Sequence, residues 1–397
     1  MRILHVIDTL SPASGGPPEA VRQLVLAYEQ ELPAARIEVV CLDRPGDSFL
    51  AGIPCPVHAL GQRSLGRFAF SPRLWRWLHT HAARFDVIIM NGIWNFPGVA
   101  VRSAARQARK RYGVFVHGAL DPWFNRKYPL KRVKKTLYWP IQYAVLRDAA
   151  AVFFTTAIER DLAQTSFQPS KWNGIVTPYG ITDFGECREE FPAQIEQFYG
   201  QVPALRGRRF LLFLGRIHEK KGCDLVLKAF GRVACDYPDV DLVIAGPDQM
   251  GMQAQLMRLS ERLGIGGRVY WPGMIRGDLK WGALRACEAF VLPSHQENFG
   301  ISVVEALSAG RPVLISNQVN IWEQIEADRV GLVDEDTLEG TDRLLRRWLE
   351  LPAAERGAMA MRARPCFLAR YTMNRTAKII NELFAPVKTA DQVSLVV

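Results

Sequence analysis

The sequence has no long apolar run and no closely paired cysteines. Its apolar stretches end well short of the roughly 18 residues that a membrane-spanning helix needs, and its seven cysteines include no C-x-x-C pair. A disulfide framework and a thiolate zinc site are therefore disfavoured, and we expect reduced, mostly buried thiols. The opening run MRILHVIDTL is too short for a secretory leader and predicts a first strand, so we expect a cytoplasmic protein.

Acidic residues are fewer than basic ones. The 397 residues carry 50 Lys and Arg against 40 Asp and Glu, a net charge of +10. This excess favours an anionic partner, and charge alone leaves nucleic acid, lipid headgroups and a phosphorylated small molecule open. Because no helix-turn-helix, RNP-type or zinc-finger spacing accompanies the charge, we expect no nucleic-acid partner.

Short apolar runs alternate with longer amphipathic segments in two series. The first series is RILHVI, RIEVVCL, DVIIMNG, GVFVHG, AVFFTT and GIVTPYG, and the second is FLLFLGRI, DLVIAGP, RVYWPGM, AFVLPS, RPVLIS and VGLVDED. Such runs are typical of buried parallel strands joined by helices. The pattern predicts an α/β chain of two Rossmann-like domains with doubly wound parallel sheets and a cleft between them.

A polar, irregular stretch separates the two series and sets the expected boundaries. We expect a first domain at 1–184, a linker at 185–209, a second domain at 210–368, and a final helix with a tail at 369–397. The last few residues are expected to fray.

The stretch HQENFGISVVEALSAGRPVLIS places two glutamates eight positions apart around a turn. A strand, a loop and a helix closed by Gly310 would put Glu297 at a strand's tip and Glu305 one turn into the helix. Ligands in such sheets bind at this edge, and ionised carboxylates suit hydroxyl-rich ligands such as sugars and ribose. Alternatively, Glu297 is an ordinary loop charge and Glu305 lies on the helix surface.

Two further stretches follow predicted strands. FLGRIHEKKGCDLVLKAF places Arg216 and Lys221 at a strand's carboxyl end, where two cations suit a diphosphate, although a solvated basic turn is the alternative. TLSPASGGPPEAVRQL places Gly15 and Gly16 before a helix, where their N–H groups can face a phosphate. The alternative is that the two glycines only form a turn.

Together these motifs carry a family resemblance over essentially the whole chain. The Gly-Gly loop, the GR…KKG segment and ENFGISVVEALSAGRPV, in that order, resemble the retaining glycosyltransferases of family 4, also called group 1. The resemblance implies a GT-B fold, with the nucleotide-sugar donor held mainly by the second domain and the acceptor mainly by the first. It also implies retained anomeric configuration and no metal cofactor, with cationic side chains in the metal's place.

The resemblance also implies roles for individual residues. Arg216 and Lys221 would bind the donor diphosphate, Gly16 would offer it a backbone N–H, and Glu305 would take the ribose hydroxyls. Glu297 would contact the transferred sugar. The turn between the two glutamates would offer backbone N–H groups to the sugar and phosphate from Asn298, Phe299 and Gly300. A final helix would cross back to the first domain.

The motif GVFVHGALDPW adds His117 at the end of a predicted strand. It resembles the family's histidine near the reacting sugar, and we expect it to bind a sugar hydroxyl, with proton transfer left open. A lone histidine is otherwise more often structural or exposed.

The stretch between 102 and 135 is basic and contains interleaved aromatic residues. It has eleven Lys and Arg residues and one acid, Asp121. Its later part favours an anionic membrane surface or a lipid-linked acceptor. The candidates there are Trp123, Arg126, Lys127, Lys131, Arg132, Lys134 and Lys135. The alternative is a helix that packs Tyr138, Trp139, Tyr143 and Leu146 inward and presents a solvated basic face.

Three functions remain open from the sequence. A glycosyltransferase is favoured; the resemblance implies a role in bacterial polysaccharide biosynthesis, and the basic stretch adds the hypothesis of peripheral attachment at the inner face of the cell membrane. A nucleotide-sugar epimerase or hydrolase on the same fold is the enzymatic alternative, and a non-catalytic sugar-nucleotide or membrane-binding scaffold is the third. The fold alone would not separate them.

Overall fold

Two parallel sheets organise the chain, one in each of its two units. The structure is a computed structural model and describes residues 1–61, 63–127, 129–183, 188–248 and 250–385. The first unit comprises Met1–Thr182 with Met373–Val397, and the second comprises Asp183–Thr372. In the described residues, no helix is both long enough and apolar enough to cross a bilayer.

The first unit has a seven-stranded sheet with the order β3-β2-β1-β4-β5-β6-β7. The strands are β1 (Arg2–Ile7), β2 (Arg36–Cys41), β3 (Val57–Ala59), β4 (Val87–Asn91), β5 (Arg111–Phe115), β6 (Ala151–Phe154) and β7 (Gly174–Val176). The helices are α1 (Gly16–Glu31), α2 (Pro72–His81), α3 (Phe96–Ala108), α4 (Pro122–Lys127), α5 (Pro129–Arg147) and α6 (Ala157–Ser166). Because helices cover both faces of a parallel sheet, central strands such as β4 and β6 are buried along their whole length.

The second unit has a six-stranded parallel sheet with the order β10-β9-β8-β11-β12-β13. Its strands are β8 (Arg209–Leu214), β9 (Val240–Ala245), β10 (Val269–Gly273), β11 (Ala289–Leu292), β12 (Val313–Ser316) and β13 (Gly331–Asp334). Its helices are α7 (Phe191–Gln201), α8 (Cys223–Val233), α9 (Gln253–Arg262), α10 (Gly277–Ala286), α11 (Ile301–Ser308), α12 (Trp322–Ala327), α13 (Leu338–Glu350) and α14 (Ala353–Arg370). The predicted fold class, two doubly wound α/β domains, is confirmed.

The segment 185–209 differs from the linker that the sequence predicts. Helix α7 packs against α10 so closely that a Cβ at Gly282 would stand 2.0 Å from the carbonyl oxygen of Gln194. The Gln194 side chain also donates to Asp278 over 2.9 Å. The many polar residues of α7 make its amphipathic spacing hard to recognise in the sequence. Residues 185–187 of the segment lie outside the residues that the structure describes.

The last helix, α15 (Met373–Phe384), packs against α1 in the first unit. Lys378 forms an ion pair with Glu31 at 2.6 Å, and Asn374 donates to the same carboxylate over 2.9 Å. The ring of Phe384 lies 6.4 Å from that of Phe153 in β6. The tail expected after this helix lies outside the described residues.

The close contact between β12 and β13 allows the packing of the second sheet to be tested. A Cβ at Gly331 would stand 2.0 Å from the carbonyl oxygen of Val313, so Gly331→Ala forces the strands apart. We expect it to lower the free energy of unfolding by about 1–3 kcal/mol, measured by urea denaturation.

The matched control is Gly357→Ala in α14, where an added Cβ meets nothing within 4 Å. We expect it to raise the free energy of unfolding by roughly 0.5–1 kcal/mol, because alanine is the better helix former. Equal stability of the Gly331→Ala and Gly357→Ala proteins would contradict the packing described here.

Candidate functional site

The candidate site of the second unit lies where the strand order of its sheet reverses. Strands β8 and β11 are neighbours there, and successive strands run outward from them in opposite directions. The carboxyl ends of strands at such a switch point form the usual ligand crevice of open α/β sheets. The loops that follow these two strands carry Arg216, Lys221 and the stretch from Glu297 to Gly300, and Glu305 lies in the helix after the second loop.

The two loops touch through bare backbone. Gly222 has φ +67°, and a Cβ there would stand 2.1 Å from the carbonyl oxygen of Pro293. The carbonyl oxygen of Lys220 accepts two hydrogen bonds at 2.9 Å, from the Ser294 hydroxyl and the His295 N–H. The loop after β8 is therefore fastened to the loop after β11.

This fastening brings Lys221 and Glu297 together as an ion pair. Both side chains are mostly buried, with 13% of Lys221 and 16% of Glu297 exposed. Burial, together with the nearby charges of Lys220 and Arg216, lowers the pKa of Lys221 to about 7. The Glu297 carboxylate is the counter-charge that the ammonium needs when it is protonated.

Backbone hydrogen bonds on both sides fix Glu297. Its N–H donates to the carbonyl of Gln318 over 2.9 Å, and its carbonyl accepts from the N–H of Asn320 over 3.0 Å. These bonds form a short parallel bridge to the loop that follows β12. Arg216, by contrast, lies at the exposed start of its loop, close enough to Lys221 to lower the pKa of that amine.

The turn Asn298-Phe299-Gly300 leads into α11. Gly300 has φ +78° and its carbonyl accepts the N–H groups of Val303 and Val304 at 2.9 and 3.1 Å. The earlier N–H groups of the helix are therefore not used within it and are suited to an anion. The Phe299 ring is buried, and its centroid lies 5.8 Å from that of the Tyr371 ring. Only the backbone of Phe299 is therefore available to a ligand.

Glu305 has a partner that the sequence does not predict. Lys280 of α10 forms an ion pair with it at 2.7 Å, and the Lys280 ammonium also lies 4.9 Å from the ring centroid of Trp281. The pair occupies one carboxylate oxygen, Oε1. No local signal in the sequence joins residues 25 positions apart on two different helices.

In the first unit, His117 follows β5 with a left-handed backbone, φ +50°. Its ring stacks on Tyr179 at 5.5 Å and on Phe115 at 5.7 Å, and the Tyr179 hydroxyl lies 2.7 Å from Nδ1. Burial lowers the pKa of His117 to about 3, so the imidazole is neutral near pH 7. A phenol that donates to Nδ1 places the proton of the neutral ring on Nε2.

A buried carboxylate that the sequence does not single out supports this turn. Glu159 of α6 is 3% exposed and accepts from the N–H of Gly118 at 2.8 Å. It also accepts from the N–H and the hydroxyl of Thr155 at 2.6 and 2.7 Å. Glu159 thus joins the turn after β5 to the turn after β6 and orients the chain beside His117.

The Gly15-Gly16 loop presents fewer backbone N–H groups to an anion than the sequence predicts. Gly15 has φ +89° and caps α1, which begins at Gly16, slightly earlier than the sequence predicts. Pro17 and Pro18 follow, and neither has an N–H group. The first turn therefore presents the N–H groups of Gly16 and Glu19, and the latter residue is itself acidic.

The basic candidates lie on α4 and α5. The exposed members are Arg126, Lys127, Lys131, Arg132 and Lys134. Lys135 is half-buried, with its ammonium 4.8 Å from the ring centroid of Trp94, and burial lowers the pKa of that amine. Trp123 is half-buried and its N–H donates to Asp121 over 2.8 Å. Trp139 and Leu146 pack inward, as the alternative interpretation expected.

Two Asp-x-Asp spacings occur in the second unit, and arginines pair with both. Asp239 pairs with Arg209 at 2.8 Å and Asp241 pairs with Arg208, while Asp334 pairs with Arg343 at 2.5 Å. Within the described ranges, no group of three or more His, Cys, Asp and Glu side chains is arranged to hold a metal ion.

A switch point with cations, a left-handed glycine and a helix N-terminus is typical of a nucleotide-binding α/β protein. Residues 196–364 match the family model "Glycosyl transferases group 1", and residues 15–180 match the model "Glycosyl transferase 4-like domain". The chain belongs to the group 1 glycosyltransferase family, as the resemblance in its sequence indicates.

Curated relatives match over parts of their length. An uncharacterized glycosyltransferase of Methanocaldococcus jannaschii is 30% identical over 145 residues, 35% of this chain and 36% of that protein. A D-inositol 3-phosphate glycosyltransferase of Streptomyces avermitilis is 31% identical over 170 residues, 39% of this chain and 36% of that protein. The chain thus spans little more than a third of the length of these relatives.

Solved structures match over nearly the whole chain. Anabaena HepE in complex with UDP and glucose has a TM-score of 0.74 at 19% identity, covering 96% of this chain and 98% of HepE. WaaG, a glycosyltransferase involved in lipopolysaccharide biosynthesis, has a TM-score of 0.71 at 18% identity, covering 97% of this chain and 100% of WaaG. This similarity shows the GT-B class of fold, two Rossmann-like domains.

Proposed function

We propose that the chain transfers a sugar from a nucleoside-diphosphate sugar to a glycan or lipid-linked acceptor, retaining the anomeric configuration and using no metal. The observation that carries the proposal is the cluster at the switch point of the second sheet. There Lys221 pairs with Glu297, with Arg216 beside them. Membership of the group 1 family supports transfer as the reaction, and the UDP and glucose of HepE support the donor class.

The cations account for recognition of the diphosphate. Arg216 offers an exposed guanidinium that can bind two phosphate oxygens, and Lys221 supplies a mostly buried point charge. A diphosphate that engages Lys221 replaces Glu297 as the counter-charge of the ammonium. The Glu297 carboxylate is then available to hydroxyls of the transferred sugar.

The other donor-site roles use groups already in position. Glu305 accepts the ribose hydroxyls through the carboxylate oxygen that Lys280 does not hold, and Lys280 orients that carboxylate. The backbone N–H groups of Asn298, Phe299 and Gly300 serve the sugar and the phosphate.

The first unit contributes two hydrogen-bonding groups in this proposal. His117 donates from Nε2 to a sugar hydroxyl oxygen, and its lowered pKa, about 3 through burial, makes it unsuited to supply a proton near pH 7. Gly16 offers its backbone N–H, and Gly15 provides the left-handed turn that begins α1. Stacking against Tyr179 holds the His117 ring in one orientation.

In the proposed reaction, the bond between the anomeric carbon and the diphosphate oxygen breaks, and its electron pair stays on that oxygen. The acceptor hydroxyl attacks the same face of the sugar and passes its proton to the departing oxygen. Arg216 and Lys221 stabilise the charge that grows on the leaving group, the task that a metal ion performs elsewhere.

The acceptor class rests on the first unit and on one structural neighbour. The cationic surface of α4 and α5 suits an anionic or lipid-linked acceptor, and WaaG takes part in lipopolysaccharide biosynthesis. We therefore propose a role in bacterial polysaccharide biosynthesis, with the enzyme in the cytoplasm at the inner face of the cell membrane.

Binding of the donor provides the first test. Nucleoside diphosphates and nucleotide sugars with different bases are expected to raise the melting temperature selectively. Glu305→Ala should weaken binding of the preferred ligand by about 10-fold to 100-fold, because hydrogen bonds to a charged acceptor are lost. Lys221→Ala should weaken it at least as much.

Matched controls are Glu323→Ala, an exposed carboxylate of α12, and Lys228→Ala, a partly exposed cation of α8. If no nucleotide shifts the melting temperature, the transferase proposal fails and the scaffold is favoured. Turnover of the donor without any acceptor would instead identify an epimerase or hydrolase.

The pH dependence of donor binding tests the role of Lys221. A diphosphate favours the charged amine, whose pKa burial lowers to about 7 in the free protein, so binding takes up a proton above that pH. Affinity for the nucleotide sugar should therefore fall between pH 7 and 9, by up to about tenfold per unit. Calorimetry in buffers of different ionisation enthalpy measures this proton uptake. Lys221→Met should abolish the uptake, and Lys228→Met should leave it unchanged.

The transfer assay tests the absence of a metal and the retention of configuration together. We expect EDTA to leave the rate unchanged and added Mg²⁺ not to raise it, because Arg216 and Lys221 carry the leaving-group charge. NMR of the product should show the donor's anomeric configuration. A rate that EDTA abolishes and Mg²⁺ restores, or an inverted product, would contradict the mechanism.

A further inference from the structure

A pocket lies at the amino-terminal edge of the first sheet, away from the residues that the proposed function uses. Arg2 begins β1, Arg36 begins β2 and Pro56 directly precedes β3, and all three border the pocket. Its volume is about 560 Å³, which lies within the usual range for small-molecule sites. The carboxyl edge, where His117 lies, is roughly 17 Å away along β1. The pocket therefore has no role in the proposed reaction.

Two arginines at this pocket lie side by side without a counter-charge. Arg2 and Arg36 are paired positions on the neighbouring parallel strands β1 and β2, and both are exposed. Neighbouring strands are about 4.8 Å apart, so the two side chains leave the sheet close together. Among the residues that the structure describes, no carboxylate forms an ion pair with either guanidinium. Adjacent like charges repel, and an anion between them would relieve that repulsion.

A third guanidinium and two carboxylates complete the charged lining. Arg84 lies 3.7 Å from Glu38, and Glu38 also pairs with His58 at 2.7 Å. Glu29, near the end of α1, is the other carboxylate and is exposed. Three guanidinium groups thus face two carboxylates, one of which already has two partners. The lining is positive on balance.

A buried hydroxyl at the pocket also lacks a partner. Tyr28 of α1 borders the pocket and is 1% exposed, and within the described ranges its hydroxyl makes no hydrogen bond. Burial raises the pKa of Tyr28, so the hydroxyl keeps its proton and can donate a hydrogen bond. Buried polar groups in folded proteins nearly always have a hydrogen-bond partner. An unpartnered hydroxyl beside a pocket therefore points to an acceptor that binds there.

We propose that this pocket binds a phosphate group, with Arg2 and Arg36 on its oxygens and the Tyr28 hydroxyl as a further donor. The planar guanidinium group offers paired N–H donors that match two oxygens of a phosphate. A phosphate has enough oxygens to engage both arginines and the phenol at once. Binding neutralises the two adjacent cations and satisfies the buried hydroxyl, so one ligand accounts for both features.

The rest of the lining indicates what carries the phosphate. Pro33, Pro54 and Pro56 supply rigid apolar surface, and Glu29 and Glu38 can accept hydrogen bonds from hydroxyl groups. These groups suit a sugar phosphate, and free phosphate is the other source of the same chemical group. The site requires no transfer chemistry, so this inference does not rest on the proposed function.

Hydrogen exchange of the full chain, read by mass spectrometry, tests the proposal. Inorganic phosphate and glucose 6-phosphate should each slow exchange in segments 28–38 and 54–57, because a bound ligand suppresses local opening. Glucose, and sodium chloride at matched ionic strength, should leave these segments unchanged. Stronger protection by glucose 6-phosphate would identify a sugar phosphate as the better ligand, and equal protection would identify phosphate itself.

Substitutions at the pocket should weaken this protection. Arg2→Gln with Arg36→Gln should raise the phosphate concentration for half-maximal protection about tenfold or more, because charge-assisted hydrogen bonds are lost. Tyr28→Phe removes only the hydroxyl and should raise that concentration by roughly threefold to tenfold.

The chain offers a matched control for each change. Arg258→Gln with Arg262→Gln on α9 makes the same change of net charge in the second unit. Tyr371→Phe removes another buried hydroxyl that has no partner in the described part of the chain, and Tyr371 does not border the pocket. Both control proteins should be protected as the unaltered chain is, and unfolding midpoints check that all four variants fold.

Three results would overturn the proposal. They are no protection of the pocket segments by either phosphate compound, equal protection by sodium chloride, and full protection in the protein with both arginines replaced. The donor-site loops lie in separate segments, 216–222 and 297–305, so phosphate that binds there is detected independently. Failure at the pocket therefore leaves the transferase proposal standing.

Discussion

The candidate donor site depends on a contact between two stretches of backbone. Gly222 lies against the carbonyl group of Pro293 with no room for a Cβ, and the carbonyl of Lys220 accepts hydrogen bonds from the residues that follow. This contact places Lys221 beside Glu297 across 76 positions of sequence. The main chain sets the geometry of the ion pair. Its two side chains therefore lose less conformational entropy when a ligand binds than side chains on a mobile loop would lose.

The sheets could be predicted from the sequence because buried parallel strands are nearly continuous apolar runs. Each of the twelve predicted runs overlaps a strand. Strand β3 was missed, because Val57–Ala59 is short, half-buried and directly preceded by Pro56. The shared location of Arg216 and Glu297 was predictable for a related reason, since the carboxyl ends of parallel strands meet at one edge.

The partners of the charged groups could not be predicted. Lys280 and Glu305 lie on different helices, and Glu159 gains its role from two turns that only the folded sheet brings together. The outward face of α5 was equally hidden, because the helix is apolar on two sides and periodicity does not say which side packs inward. The sequence alternative was correct about the buried face of α5, but the opposite face is apolar as well as basic.

The two prolines that open α1 have a consequence for the division of labour within the chain. By removing two N–H groups, Pro17 and Pro18 leave the start of α1 with few donors for a phosphate, whereas the second unit carries cations and a helix N-terminus at its switch point. In the proposed function, most of the contacts to the nucleotide therefore come from the second unit. Under that proposal, the first unit could change in sequence toward different acceptors with little loss of donor binding.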